Sequence, residues 1–538
     1  MSNSKVFQIM GGNLEQIKKA RQICQQPNGN KISYNPFFTS VLVYDFQNYG
    51  LEVSNGNVIH YDTPKKVSPY LGRIELRMGH PKKGGSVEWN VFTLPGKLDK
   101  QDSKRRILDT ATDLFWGCAG DFEERYANSI GRNNNRERYI YFSKEAPVRY
   151  IQREKSLDIN LEELAENFEK VTRKLKNSKM DRVDIDFDAK KEIKYLMNSE
   201  GSKIFTNFIS YRISLRAETV DERRLLIPHS KVWYGNESSQ VPDYNALMKM
   251  GYQVTRELEE IVKAPIQTNG AFPAIIDGEN AGVLFHEAIG HGLEGHRMQE
   301  QENYWGEEES ISLFKDKIGD KVAPEFISLY DDPTIEFFNK IPVNGYYLYD
   351  EDCVKGQKVH LVERGILKDY LHSRQSAGYF NRQSNGHCRA GTVNSPCVRM
   401  GNLFVKSSNQ ISLPKLKEEL IKECIKQRKP YGLLLKGTTG GVVLPEESFY
   451  NTSPANVFRV HLDGKEERVK GIYIVGTPHQ TLMNILQTSD NYGVFNGYCG
   501  AESGYVKSSE IAPDVLIRSL EVNRIPKSSY SEMANPIF

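Results

Sequence analysis

Phe272 to Met298 reads FPAIIDGENAGVLFHEAIGHGLEGHRM, and within it His286, Glu287 and His291 form an HExxxH sequence. The zincin HExxH sets two histidines one helical turn apart to bind zinc, with the glutamate between them as general base. Here an extra residue separates the histidines. At about 100° per residue, positions five apart lie roughly 140° apart around a regular α-helix, too far to share one metal. A local π turn returns them to one side, and such turns favour functional sites. Gly290, directly before the second histidine, offers backbone freedom for that distortion. The motif therefore predicts a metal site on a locally widened helix. The apolar run Ala281 to Phe285, followed by Gly290, Gly292 and Gly295, suits a buried helix closely approached by other backbone better than a solvated polar face.

A catalytic zinc takes three protein ligands and keeps one position open for water, so a third ligand must come from elsewhere. Two candidates stand out. His296 lies five residues past His291, although the offsets differ from those of the longer zincin pattern HExxHxxGxxH. Cys499 sits in NGYCGAESG, where Gly497 and Gly500 flank a thiol in what reads as a tight loop, and thiolate is a strong zinc ligand. The residues alone leave both open. His387 beside Cys388 reads as an ordinary loop pair. There is no GxSxG, no GxxxxGKS/T and no GxGxxG opening a helix. The GTTGG cluster at Gly437 to Gly441 lacks the lysine of a phosphate loop and better suits close approach to an extended peptide.

The totals narrow the function class. A chain of 538 residues, 39% hydrophobic, can bury a large core, as three or four ordinary domains or two large ones. Lys plus Arg (71) nearly balances Asp plus Glu (69), for a net charge of +2, which argues against a nucleic-acid partner. No apolar run approaches the roughly eighteen residues of a membrane span, and the N-terminus lacks the apolar core of a secretory signal. Seven scattered cysteines without a CxxC pair fit free thiols in a reducing compartment, so a cytoplasmic protein is expected.

Periodicity supplies the rest. Residues up to about 90 read as strands and turns, with Asn55-Gly56 a hairpin signal after Ser40 to Phe46. Lys104 to Tyr126 has helical spacing through Ile107, Ala111, Leu114 and Cys118, and Gly131 to Arg138 reads as a polar loop. Asn160 and Glu163 form a cap-like start to a helix through Leu175. In VDIDFD, Val183, Ile185 and Phe187 alternate with three aspartates, read as one exposed strand face because the glycine and glutamate of a calcium loop are missing. Ile204 to Ala217 reads as strand and Tyr244 to Val262 as helix ending at Pro265, which places a boundary between residues 1–264 and 265–538. Beyond it come a polar insertion around Gln299 to Ser310 and short strands at Tyr346 to Tyr349, Lys358 to Glu363 and Ile366 to Leu371. A hairpin turned at Asp463-Gly464 and a helix starting at Thr477 follow.

At PAIIDGENAGVLFHEAIGHGLEGH (Pro273 to His296), ERGILKDYLHSRQSA (Glu363 to Ala377), VRMGNLFV (Val398 to Val405), GTTGG and CGAESG at Cys499, the sequence resembles the TldD/PmbA family of metallopeptidases, on its TldD-like branch. The match covers essentially the whole C-terminal half, in the family's order. The resemblance implies an α+β, two-domain architecture. Its N-terminal domain would be mixed α/β, and its C-terminal domain largely antiparallel β and carrying the HExxxH helix. It also implies Zn2+ held by His286, His291 and Cys499, with Glu287 activating water. The implied substrate is an unfolded or extended peptide, and the implied partner a second copy or a family relative, giving a homodimer or heterodimer. The form of the motif best known in the family has aspartate where this chain has His296, which leaves open whether His296 is itself a ligand or supports the ligands. A non-catalytic binding or scaffold subunit with a structural zinc is the competing expectation.

Overall fold

The computed structural model describes residues 3–20, 22–25, 31–63, 69–80, 84–132, 142–177, 179–222, 224, 226–298, 312–444 and 449–525. Two large sheets organise them. The first runs Leu226–Gly235, Lys203–Val220, Arg182–Asn198, Pro36–Ser54, Tyr70–His80 and Gly84–Leu94, each antiparallel to its neighbour. Asn57–Asp62 folds back on Pro36–Ser54 through the expected turn, where Asn55 (φ 50°) and Gly56 (φ 85°) both take left-handed backbone.

Strand alternation divides this sheet's faces. Val41, Val43, Val53, Val183, Ile185, Phe187, Ile193, Tyr195, Phe205, Tyr211 and Ile213, all at odd positions, pack under helices Asn3–Ile17, Lys100–Arg132, Leu161–Leu175 and Tyr244–Lys263. Even-numbered Leu42, Tyr44, Leu196 and Ile204 turn the other way and meet Cys353 and Tyr349 of the C-terminal half. The expected cap is present, with Asn160 Oδ1 accepting from Glu163 N at 3.3 Å. The following helix buries Leu161, Leu164, Phe168, Val171 and Leu175. Asp184, by contrast with the exposed-face reading, is buried and pairs with Arg182 at 2.8 Å.

The second sheet follows from Gly270 onward. Gly270–Ile276 pairs in parallel with Tyr431–Leu444 and antiparallel with Gly504–Arg524. Phe449–His461 and Ile472–Gly476 close the circuit between those two. Asn402–Ser407, Ile327–Asp331, Val359–Glu363 and Ile366–Leu367 extend it beyond Gly504–Arg524. The largest core cluster lies within this half and includes Phe285, Ile289 and Leu293 of the HExxxH segment. No named strand of either sheet lies between Gly235 and Gly270, and we propose residue 264/265 as the boundary there.

Several local expectations change. Asn3–Ile17 is helical where strands were expected, its Val6, Phe7, Met10, Leu14 and Ile17 buried against the first sheet's core. Tyr346 to Tyr349 forms no strand, only a single bridge from Tyr349 to Lys355. Cys499 lies within strand Ile485–Ala501 and not in a loop; the hairpin turn comes just after it, with Gly504 at φ 77°. Gly131 and Arg132 end the long helix, and the rest of the polar loop, like Gln299 to Ser310, lies outside the described residues.

Candidate metal centre

Strand Gly270–Ile276 delivers the chain to Asp277, whose side chain caps helix Gly278–Phe285 by accepting from Asn280 N at 3.1 Å. The same carboxylate accepts from Gly437 N at 2.6 Å, and Asn280 Nδ2 donates to Gly437 O at 2.7 Å. The glycine-rich strand is thereby fastened to the start of this helix. A Cβ on Gly278 would stand 2.2 Å from Gly493 N and 2.3 Å from Ala512 O, so only glycine lets the helix lie against the backbone of the two long strands.

After Phe285 the helix widens. His286–Gly290 is a single π turn, closed by His291 N donating to His286 O, and a 3-10 turn His291–Leu293 follows. One extra residue in the turn brings positions five apart to the same side. The two imidazoles stand 4.8 Å apart between ring centroids and nearly perpendicular, at 88°. Gly290 itself has ordinary helical backbone (φ −56°, ψ −55°), so its role differs from the conformational freedom expected of it. A Cβ there would come within 2.3 Å of Met400 Sδ, so glycine lets the Met400 side chain lie against the turn.

Cys499 meets this pair from the facing strand. Its Sγ lies 3.0 Å from His286 Nε2 and 3.3 Å from His291 Nε2, and all three residues are buried. The opposite ring nitrogens stand against carboxylates, His286 Nδ1 at 2.7 Å from Glu510 Oε1 and His291 Nδ1 at 3.2 Å from Glu294 Oε2, ion-pair contacts that are not aligned as hydrogen bonds. Arg399, fully buried, donates through Nη2 to Cys499 Sγ at 2.8 Å and to Cys499 O at 2.7 Å. Its Nη1 reaches Ser503 Oγ and Gly504 O, each at 3.0 Å.

The electrostatics follow from this crowding. Burial pushes the Cys499 thiol up, but His291, His286 and Arg399 outweigh it and hold the group well below its ordinary value. Burial likewise lowers His291, yet Cys499 and Glu294 raise it to about 10. Burial raises the Glu287 carboxyl against the opposing pull of the two histidines. Glu287 is partly exposed, and among the described residues its carboxylate makes no hydrogen bond or ion pair.

The donor set fits zinc. Two imidazole nitrogens and one thiolate converge with ligand atoms within 4.8 Å of one another. The carboxylates on both Nδ1 atoms turn both Nε2 atoms inward. Sulfur and nitrogen around a tetrahedral zinc stand about 3.5 Å apart, close to the spacings here. His296 is not in this group; it gathers with Cys397 and Glu502. Glu510, Glu294 and Arg399 were not singled out from sequence. The available signal was a charge within an apolar run, as in SSEIAPDVLI and VRMGNLFV, since such residues are seldom fully buried unless paired.

Residues 269–524 match the family model described as the PmbA/TldA metallopeptidase C-terminal domain. A metalloprotease of Methanocaldococcus jannaschii is 27% identical over 352 residues, 64% of this chain and 70% of that protein. A zinc metalloprotease TldD homolog of Saccharolobus solfataricus is 28% identical over 254 residues, 47% of this chain and 52% of that one. These alignments thus span between 52% and 70% of the relatives' lengths. The crystal structure of TldE from Thermococcus kodakarensis superposes with a TM-score of 0.61 at 14% identity, covering 90% of this chain and 97% of that one. A Bacteroides thetaiotaomicron structure gives 0.63 at 12% identity, over 98% and 100%.

Proposed function

This chain belongs to the TldD/PmbA family, and from that premise we propose that it is a zinc-dependent peptidase in which His286, His291 and Cys499 hold the metal and Glu287 activates water. The observation that supports this most is the approach of one buried thiol to both histidine Nε2 atoms, at 3.0 and 3.3 Å. Zinc bound there supplies Lewis acidity, polarising a scissile carbonyl and acidifying water.

The chain's own groups do the remainder. Glu510 and Glu294 fix the ring orientations, and Arg399 stabilises the thiolate. Glu287, raised by burial and without a partner among the described residues, takes the water's proton and returns it to the leaving amine. The substrate is an unfolded or extended peptide. It lies as an added strand near Gly437 to Gly441, where the glycine backbone is fastened beside the metal-site helix and backbone hydrogen bonds supply most of the affinity. The protein works in the cytoplasm, paired with a second copy or a family relative. Six cysteines among the described residues are free thiols, as a reducing compartment requires, and no helix among them is long and apolar enough to cross a membrane.

Glu287→Gln decides the chemistry. The variant should keep its zinc and lose hydrolysis of an unfolded protein such as casein by about 10²–10⁴-fold. Full activity in a zinc-loaded Glu287→Gln would refute the mechanism.

A further inference from the structure

A second group of donors lies beside the first. His296 sits in the 3-10 turn Gly295–Met298, Cys397 in the short strand Cys397–Val398, and Glu502 between strands Ile485–Ala501 and Gly504–Arg524. Their ligand atoms all lie within 4.8 Å of one another. His296 follows His291 by five residues, Cys397 precedes Arg399 by two, and Glu502 follows Cys499 by three. The same three segments therefore carry both groups.

His296 is the telling member. Its side chain is only 15% exposed, and its buried ring nitrogens face Cys397 and Glu502 without a well-aligned hydrogen bond among the described residues. A buried polar atom left unpaired costs on the order of 1–3 kcal/mol. Nε2 stands 4.0 Å from Glu502 Oε1, too far for a hydrogen bond. Around a tetrahedral zinc with bonds of about 2.0–2.2 Å these atoms would stand about 3.4 Å apart, so the exposed Glu502 side chain closes by about half an ångström to bind. Cys397 is a free, half-buried thiol whose Sγ meets the Val398 carbonyl at 3.7 Å. Imidazole, thiolate and carboxylate are the three donor types that zinc takes.

The surrounding charges permit an ion. Arg297 already contacts Glu502, Nη1 at 2.7 Å from Oε1 and Nη2 at 2.9 Å from Oε2. A carboxylate offers about four lone-pair directions, so Oε1 can keep Arg297 and still face a metal. Arg297 Nε also meets Glu294 at 3.0 Å. A divalent ion together with Arg297 is then offset by Glu294, Glu502 and the Cys397 thiolate. Glu502 is 54% exposed, which gives the group access to solvent.

We propose that His296, Cys397 and Glu502 form a second, solvent-accessible site for a divalent cation of zinc's class, separate from His286, His291 and Cys499. An ion there ties the turn after the metal-site helix to the hairpin tip and to the segment bearing Arg399.

Metal counting on the full-length protein tests this. After equilibration with zinc and removal of the excess, mass spectrometry should find about two metals per wild-type chain and about one in His296→Ala and in Cys397→Ser. Cobalt substitution should show thiolate-to-metal absorption that falls in Cys397→Ser. Glu502→Gln, at an exposed position where folding is not at risk, should weaken the second equivalent about tenfold or more. One metal in the wild type, or two that survive all three substitutions, overturns the proposal. The readout is metal content, so the result stands apart from whether the chain hydrolyses peptides.

Discussion

Glu510 shows how far the proposed centre depends on residues outside the set His286, His291 and Cys499. It lies in strand Gly504–Arg524, 2% exposed, and its Oε1 faces His286 Nδ1 at 2.7 Å. A carboxylate there fixes which imidazole nitrogen carries the proton and strengthens the other as a donor. Glu510→Gln keeps the shape and removes the charge. Zinc affinity, measured by competition with a chromogenic chelator, should fall about 10- to 100-fold with the fold intact. Unchanged affinity would remove Glu510 from this role. The convergence of His286 and His291 was legible from the sequence because the motif is local and its spacing carries the geometry. Cys499 was not, since more than two hundred residues separate it from His291 and only family resemblance chose it over His296. Glu510, Glu294 and Arg399 stayed hidden for a further reason: their partners are set by the pairing of strands, which periodicity does not reveal.

The elements tell a similar story about what local sequence encodes. The π turn His286–Gly290 was predictable because two ligands five residues apart admit few other helical solutions. The N-terminal helix was missed because its apolar stripe, Val6, Met10, Leu14 and Ile17, is interrupted by Gly11 and Gly12, poor helix residues whose cost tertiary packing overrides. Helix Tyr244–Lys263 was read nearly to its ends, yet its pairing with strand Leu226–Gly235 was not. There, Glu257 Oε2 meets His229 Nε2 at 2.8 Å, both side chains buried. Burial raises Glu257, but hydrogen bonds from His229 and Gln253 dominate and bring its pKa to about 2. A carboxyl depressed in the folded state adds stability that is complete above its unfolded value of about 4.3 and is lost as pH falls through the folded value. Denaturant titrations of the wild type and Glu257→Gln should therefore converge between about pH 4.5 and 2, the difference at neutral pH being at most about 3 kcal/mol. A gap independent of pH would mean that His229 does not govern Glu257.

On the scale of the whole molecule, the first sheet joins the two halves through its even-numbered face, and Arg374 adds a polar tie beside the buried Arg73–Glu351 pair. It belongs to the C-terminal half, at the start of helix Arg374–Tyr379, and its side chain is 1% exposed. Nε and Nη2 donate to Ser143 O at 2.9 and 2.7 Å, while Nη1 and Nη2 meet Glu200 at 2.7 and 3.0 Å. The guanidinium lies 4.0 Å over the Phe142 ring and 5.0 Å from that of Phe38. The alternation that made VDIDFD readable as a strand thus also decides which face meets the other half, although the sequence names no partner for it. Removing Arg374 leaves the Ser143 carbonyl unmatched and a Glu200 carboxylate that is 32% exposed without its partner, at a cost of about 1–3 kcal/mol. Arg374→Ala should lower the midpoint of denaturant unfolding accordingly. Arg374→Lys should fall almost as far, because a single ammonium cannot reproduce the planar fork that reaches Ser143 and Glu200 together while stacking on Phe142. Recovery of wild-type stability by lysine would show that charge alone suffices. A loss below about 0.5 kcal/mol in the alanine variant would show that apolar packing through Leu42, Tyr44, Leu196 and Cys353 holds the halves together without this tie.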